Sequence, residues 1–224
     1  MLSQKRGWLL CVSALVFLTA NVASAGMIIT GVSRTNSTKQ APGIAPGFID
    51  FADNGKSPAD QDVGALGNGS YAFVDRTHAY VDANATLEPF PTFLVGADYV
   101  LNANDDKSDD NVLIDVTFSD QVTTVYLVID NRVAVGDTKM AWVGALGFTD
   151  TGSDLGIDES KDGVANQLSS VWSLNVSGPT TITFGEQNDG GSRNMYGIAA
   201  VPEPATLGLL AIGAVGVLIR RKRR

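Results

Sequence analysis

Val112-Leu113-Ile114-Asp115-Val116-Thr117-Phe118 decides the fold. Val112, Ile114, Val116 and Phe118 fall on one side of a period-two pattern, with Leu113, Asp115 and Thr117 on the other, as in a strand buried on one face only. The pattern resumes at Val125, Leu127 and Ile129, after a turn near Ser119-Asp120-Gln121, so the two segments read as neighbouring strands. Further on, Trp172, Leu174 and Val176 alternate with Ser173 and Asn175, and Ile182 and Phe184 alternate with Thr181 and Thr183. Ser177-Gly178-Pro179 supplies the loop between these two strands.

Shorter candidates lie at residues 27–32, 71–74, 78–82, 98–102, 140–143 and 194–200. No window of the body holds a helical period, and roughly ten short strands with Gly, Asn and Asp turns predict an all-β, antiparallel β-sandwich of jelly-roll type. Residues 33–69 are rich in Pro, Gly, Asn and Asp and read as irregular loop with one short strand, Phe48-Ile49-Asp50-Phe51. No internal repeat is present, which argues against a propeller or solenoid.

Charge separates the body from its ends. The chain carries 16 Lys and Arg against 24 Asp and Glu, but seven of the cations lie in the first 25 and last five residues. Residues 26–200 hold the other nine cations against 23 acids, a net of −14, which repels polyphosphate and excludes nucleic acid as a partner. The single cysteine, Cys11, lies outside the body, which therefore has no disulfide, thiolate nucleophile or cysteine metal site.

The amino-terminal end has three parts: Lys5 and Arg6, an apolar stretch over residues 8–20, and the small residues Ala23-Ser24-Ala25. This is the layout of a secretory signal peptide, residues 1–25, with signal peptidase and the secretion machinery as partners and a cut between Ala25 and Gly26. The carboxyl-terminal end is also tripartite. Val201-Pro202-Glu203-Pro204 is followed by an uncharged stretch over residues 205–219 and then by Arg220-Arg221-Lys222-Arg223-Arg224. The prolines stop an incoming strand and hold an extended segment. As a helix the apolar stretch would span about 22 Å at 1.5 Å per residue, short of a hydrocarbon core of about 30 Å. The basic cluster fixes its orientation by staying on the cytoplasmic side.

This tail, Val201-Pro202-Glu203-Pro204-Ala205-Thr206-Leu207-Gly208-Leu209-Leu210, resembles the PEP-CTERM sorting signal of exopolysaccharide-producing bacteria. The same tail is also labelled the ice-binding protein carboxyl-terminal domain, a label that by itself implies no ice binding. The resemblance implies an exosortase as partner, with Val201, Pro202, Glu203, Pro204, Thr206 and Leu207 as the sorting motif of residues 201–224. It also implies export across the inner membrane, transient anchoring in the membrane by a single apolar helix, and cleavage near Pro-Glu-Pro that delivers the body to the cell surface.

Within the body, residues 26–200, the densest acidic segment is residues 104–111, where Asp105, Asp106, Asp109 and Asp110 are candidate oxygen ligands for Ca²⁺ and a solvated acidic turn is the competing reading. Asp158-Glu159-Ser160-Lys161-Asp162-Gly163 matches the first half of an EF-hand loop, but Ser169 stands where the bidentate Glu is needed. His78, the single histidine, sits near Asp75, Arg76 and Asp82 without any nucleophile elbow, so it reads as an ordinary strand residue and no catalytic residue is assigned. Tyr80, Tyr99, Tyr126, Trp142, Trp172 and Tyr196 could stack on sugars or pack in the core, and Tyr126 stands out because it points opposite to Val125 and Leu127. The expected protein is a non-enzymatic surface or matrix protein, structural or adhesive, in association with exopolysaccharide. Two alternatives stand beside it: a carbohydrate-binding module that uses calcium, and a polysaccharide-cleaving enzyme.

Overall fold

The computed structural model describes residues 27–46, 64–135, 140–187 and 191–202. The expected signal peptide with Ala23, Ala25 and Gly26, the expected short strand at 48–51, and the tail from Glu203 onward, with Pro204, Thr206 and Leu207, lie outside the described residues.

The chain forms eleven strands among the described residues: β1 Ile29–Thr35, β2 Gly43–Ala45, β3 Ser70–Tyr71, β4 Ala79–Val81, β5 Asp98–Leu101, β6 Leu113–Phe118, β7 Val122–Asp130, β8 Thr149–Asp158, β9 Gln167–Asn175, β10 Thr180–Phe184 and β11 Gly197–Pro202. They make two antiparallel sheets, a three-stranded one in the order β1-β6-β10 and an eight-stranded one in the order β2-β5-β11-β7-β9-β8-β4-β3. The expected all-β antiparallel body is what forms, with its strands divided three and eight.

The alternation in β6 produces this arrangement. Ile114, Val116 and Phe118 are fully buried while Leu113 and Thr117 face out, and the same core takes Val125, Leu127 and Ile129 from β7 and Phe184 from β10. Both sheets therefore share one core, each buried aliphatic or aromatic side chain contributing about 1.5–3 kcal/mol relative to exposure.

Two longer elements depart from the sequence expectation, besides the three-residue strand β2, which forms within the stretch 33–69 read as irregular loop. Residues 140–143, read as a strand, begin a short helix, α1 Ala141–Leu146. Met140 enters it with φ 50° and Gly147 closes it in the left-handed region, its N–H reaching back to the carbonyls of Gly144 and Val143. Trp142 fixes the helix from the side: its Nε1 donates to the Glu186 carbonyl at 3.0 Å, and its ring meets Tyr196 edge-on at 5.3 Å. The second departure is β8, a ten-residue strand in a stretch not expected to be one.

Candidate functional site

β11 is an interior strand, paired with β5 on one side and β7 on the other, and it carries the first two residues of the sorting motif. Val201 pairs with Thr124, and Pro202 faces Val122 after a register shift. Proline has no N–H to give to the ladder, so pairing ends there. The tail thus leaves from the middle of the larger sheet, at the end referred to below as the exit pole.

A groove of about 380 Å³ lies beside this exit, lined by Phe93, Val95, Ala97, Thr124, Tyr126 and the motif's own Val201 and Pro202 among others. Its wall is a 3₁₀ turn, Thr92–Leu94, pinned by the fully buried Leu94, which leaves Phe93 and the following Val95 turned to solvent. Gly96 then takes φ 84°, a conformation side chains disfavour, and its N–H donates to the Leu66 carbonyl at 2.8 Å, closing the turn against the neighbouring loop. The Tyr126 ring, projecting from β7 on the face away from Leu127, stacks on Phe93 with centroids 5.1 Å apart and planes 26° from parallel. Phe93 is 38 % exposed and Val95 60 %. The groove lining contains no acid and no base. Sequence reasoning singled out Tyr126, but it missed Phe93 and Val95, which sit in a turn with no periodicity to mark them.

The first described residues lie at the same pole. The Ile28 and Ile29 amides both donate to the Asp98 carboxylate, the latter at 3.1 Å, and Asp98 on β5 is the ladder partner of Ala200 on β11. Burial pushes the Asp98 carboxyl above its ordinary value, and the two amides pull the other way without cancelling it.

The opposite end of the sheet is ionic. Asn104–Ser108 is a 3₁₀ turn, and of the four predicted calcium ligands around it three are taken by different basic partners. Asp106 is wholly buried, accepting from Arg34 Nη1 at 2.5 Å and Ser37 Oγ at 2.6 Å. Burial raises its pKa, and those two donors offset the rise only in part. Asp105 pairs with Arg76 and with Lys107, the latter at 3.7 Å, whereas Asp109 faces Lys39 at 3.8 Å and Asp110 is exposed. Among the described residues no group of three or more His, Cys, Asp or Glu side chains is placed to hold a metal.

The EF-hand-like segment is the β8–β9 turn, flanked by strands, and its acid is engaged with its own backbone. Asp158 Oδ1 accepts from the Ser160 and Lys161 amides at 2.9 and 2.6 Å, and Oδ2 accepts from the Gly163 amide at 2.7 Å. Burial pushes this carboxyl up, yet the amides together carry it below the ordinary range.

Asp130, at the end of β7, is fully buried and holds Arg132 through both oxygens, at 2.8 and 2.5 Å, while accepting from the Asn194 amide at 2.8 Å. Asn194 in turn donates to Glu159 at 2.8 Å. His78 stands just before β4 with its ring edge-on to Phe73; burial lowers its pKa, and its buried Nδ1 has no hydrogen-bond partner. Of the predicted sugar-stacking aromatics, Tyr80, Tyr99, Tyr126 and Tyr196 are buried core residues, Tyr126 the least covered of the four, and Trp142 and Trp172 pack against the core.

Residues 200–224 match the PEP-CTERM protein-sorting motif. The chain carries that sorting signal. The motif marks an exported protein handled by an exosortase, and its first three residues are the end of β11. No curated protein matches the chain. Among solved structures, a β-glucuronidase from glycoside hydrolase family 2 is similar at 14% identity, with a TM-score of 0.49. The likeness covers 77% of this chain and 14% of that one. Among the described residues no helix is long and apolar enough to cross a membrane, and the apolar stretch 205–219 lies outside them.

Proposed function

We propose that this is an exported surface or matrix protein whose β body is held at the membrane by its PEP-CTERM tail until an exosortase recognises Pro202-Glu203-Pro204, cuts, and delivers the body to the cell surface. The body is non-enzymatic and acts structurally or adhesively in association with exopolysaccharide. One observation carries the reading: the motif begins as the last paired residues of an interior strand, so a cut beyond Pro202 separates the tail without removing any strand from the sheet. Pro202, which has no N–H to give, ends the pairing, so the described sheet stops one residue before Glu203.

The test is Glu203→Ala in the producing cell. Export and signal cleavage are expected to proceed, while the uncut precursor accumulates in the membrane fraction. Mass spectrometry showing unchanged removal of the tail would overturn the reading in favour of a plain anchor.

A further inference from the structure

We propose that the exit pole, with Phe93, Val95 and Tyr126 at its centre, is a membrane-contact surface that rests on the interfacial layer of the bilayer holding the uncut tail. The inference deepens the proposed function and rests on its reading of the tail as membrane-inserted.

The first argument is reach. Only Glu203 and Pro204 separate Pro202 from the apolar stretch that begins at Ala205. Three Cα steps of 3.8 Å allow at most about 11 Å between Pro202 and Ala205. A body tied that closely to a membrane-inserted segment must present the end of β11 to the bilayer surface. The amino-terminal start is at the same pole, because Ile28 is fixed to Asp98, which pairs with Ala200. During export, therefore, both membrane-bound ends of the chain pull on one face of the body.

The second argument is chemistry. At that face Phe93, stacked on the buried Tyr126 ring that backs it, the exposed Val95 and the half-exposed Met27 offer apolar and aromatic surface of the type that settles at the headgroup boundary. The groove lining lacks any charge in a body of net −14, and the adjoining turn at residues 119–121 adds a single acid, Asp120. The described lysines and arginines, seven in all, lie at the opposite pole. The contact is therefore apolar, with no attraction between basic side chains and anionic lipid. One layer of exposed side chains on a body that must later leave suits a contact that the tail enforces and that weakens once the tail is cut.

Val164 provides a matched control, a valine 63 % exposed in the β8–β9 turn at the far end of the same sheet. β9 alone runs nine residues from that turn toward the exit pole, about 30 Å at 3.3 Å per residue. In the chain from Gly26 onward, which keeps the tail and lacks the apolar stretch 8–20 that could itself insert, Val95→Cys and Val164→Cys are each labelled with an environment-sensitive dye. The protein is incorporated into phosphatidylcholine vesicles containing a lipid-attached quencher, and flotation scores tail insertion separately. The Val95 label should be quenched several-fold more than the Val164 label, and adding Phe93→Ser should reduce that excess without changing flotation. Replacing part of the phosphatidylcholine by phosphatidylglycerol should not increase it.

A chain that floats with both labels equally quenched would overturn the contact surface and leave the tail reading standing. A chain that fails to float would overturn both. If lipid quenches neither label while the producer's polysaccharide shields the Val95 dye, the groove belongs to a sugar and the inference is wrong.

Discussion

The two poles of the eight-stranded sheet are built from the same strands and opposite chemistry. At the exit pole β5, β7 and β11 end in a groove without charge, beside Phe93 and Tyr126. At the far pole the same three strands, with β4 and β8, run into buried carboxylates, each held by donors of its own: Asp106 by Arg34, Asp130 by Arg132, Asp158 by backbone amides. The difference teaches that the acidity of this body is not a uniform coat. Three of its carboxylates, Asp106, Asp130 and Asp158, are consumed internally at the end that faces away from the tail.

The contrast breaks most visibly at Arg34. Arg34→Ala leaves the Asp106 carboxylate buried opposite an empty space, a loss of the kind that costs about 3–5 kcal/mol. Urea unfolding should show a large drop in midpoint, and a variant as stable as the wild type would mean that the far pole is not held by its ion pairs.

A smaller effect is expected at Asp158. Its folded pKa lies below that of an unfolded aspartate, near 3.9, so it stabilises above that pH and stops doing so as pH falls through the lowered folded value. Asp158→Asn should cost about 1–3 kcal/mol at neutral pH through the weakened amide bonds. The deficit should shrink on acidification, read from unfolding midpoints across the acid range. Asp106 and Asp98, with raised pKa values, act in the other direction: each loses stability as pH rises above the unfolded carboxylate value.

The smallest effects concern the outer acids of the 104–111 segment. Lys39 and Asp109 are both partly exposed, so Lys39→Ala should change stability by less than about 1 kcal/mol. With Asp105 and Asp106 already bonded to Arg76 and Arg34, calcium and chelator should give coincident thermal melts. A melt raised by calcium would restore this segment as an ion site.

How much of this was legible in the sequence differs by element. β6 could be read almost residue by residue because one of its faces is buried and the other is wet, the condition that writes period two into a strand. β8 could not. Its Thr-Asp-Thr-Gly-Ser-Asp start is poor in β-formers, a register shift between Asp150 and Ser153 breaks its pairing, and Gly156 is required by close approach. A Cβ there would sit 2.6 Å from both the Ala165 Cβ across the β8–β9 turn and the Asp82 carbonyl, which is far away in sequence. α1 was missed because its Ala-Trp-Val opening suits either a strand or a helix, and Gly147 as a helix stop becomes meaningful only once a helix is suspected.

The sorting motif was legible because an enzyme reads it as sequence. Its meeting with the groove was not, since Phe93 and Val201 are far apart in the sequence and come together only in the folded sheet. Likewise the acidic clusters were visible as composition. Whether a carboxylate turns to a distant arginine or to its own turn depends on pairings that composition does not record.

The interior position of β11 also sets an order of events. It is the last of the described strands in the chain, yet β2 and β5 reach the remaining five strands of their sheet only through it. As the polypeptide emerges amino end first, neither part of the larger sheet can be joined to the other until Gly197 to Pro202 have crossed, with the tail directly behind them. On the proposed function, arrest of the tail in the bilayer and closure of the sheet are therefore nearly simultaneous. Any product shortened upstream of β11 stays split, with two open strand edges. The last residues to enter the sheet are also the first residues of the processing signal, so a chain that has presented that signal outside the membrane has already delivered its missing strand.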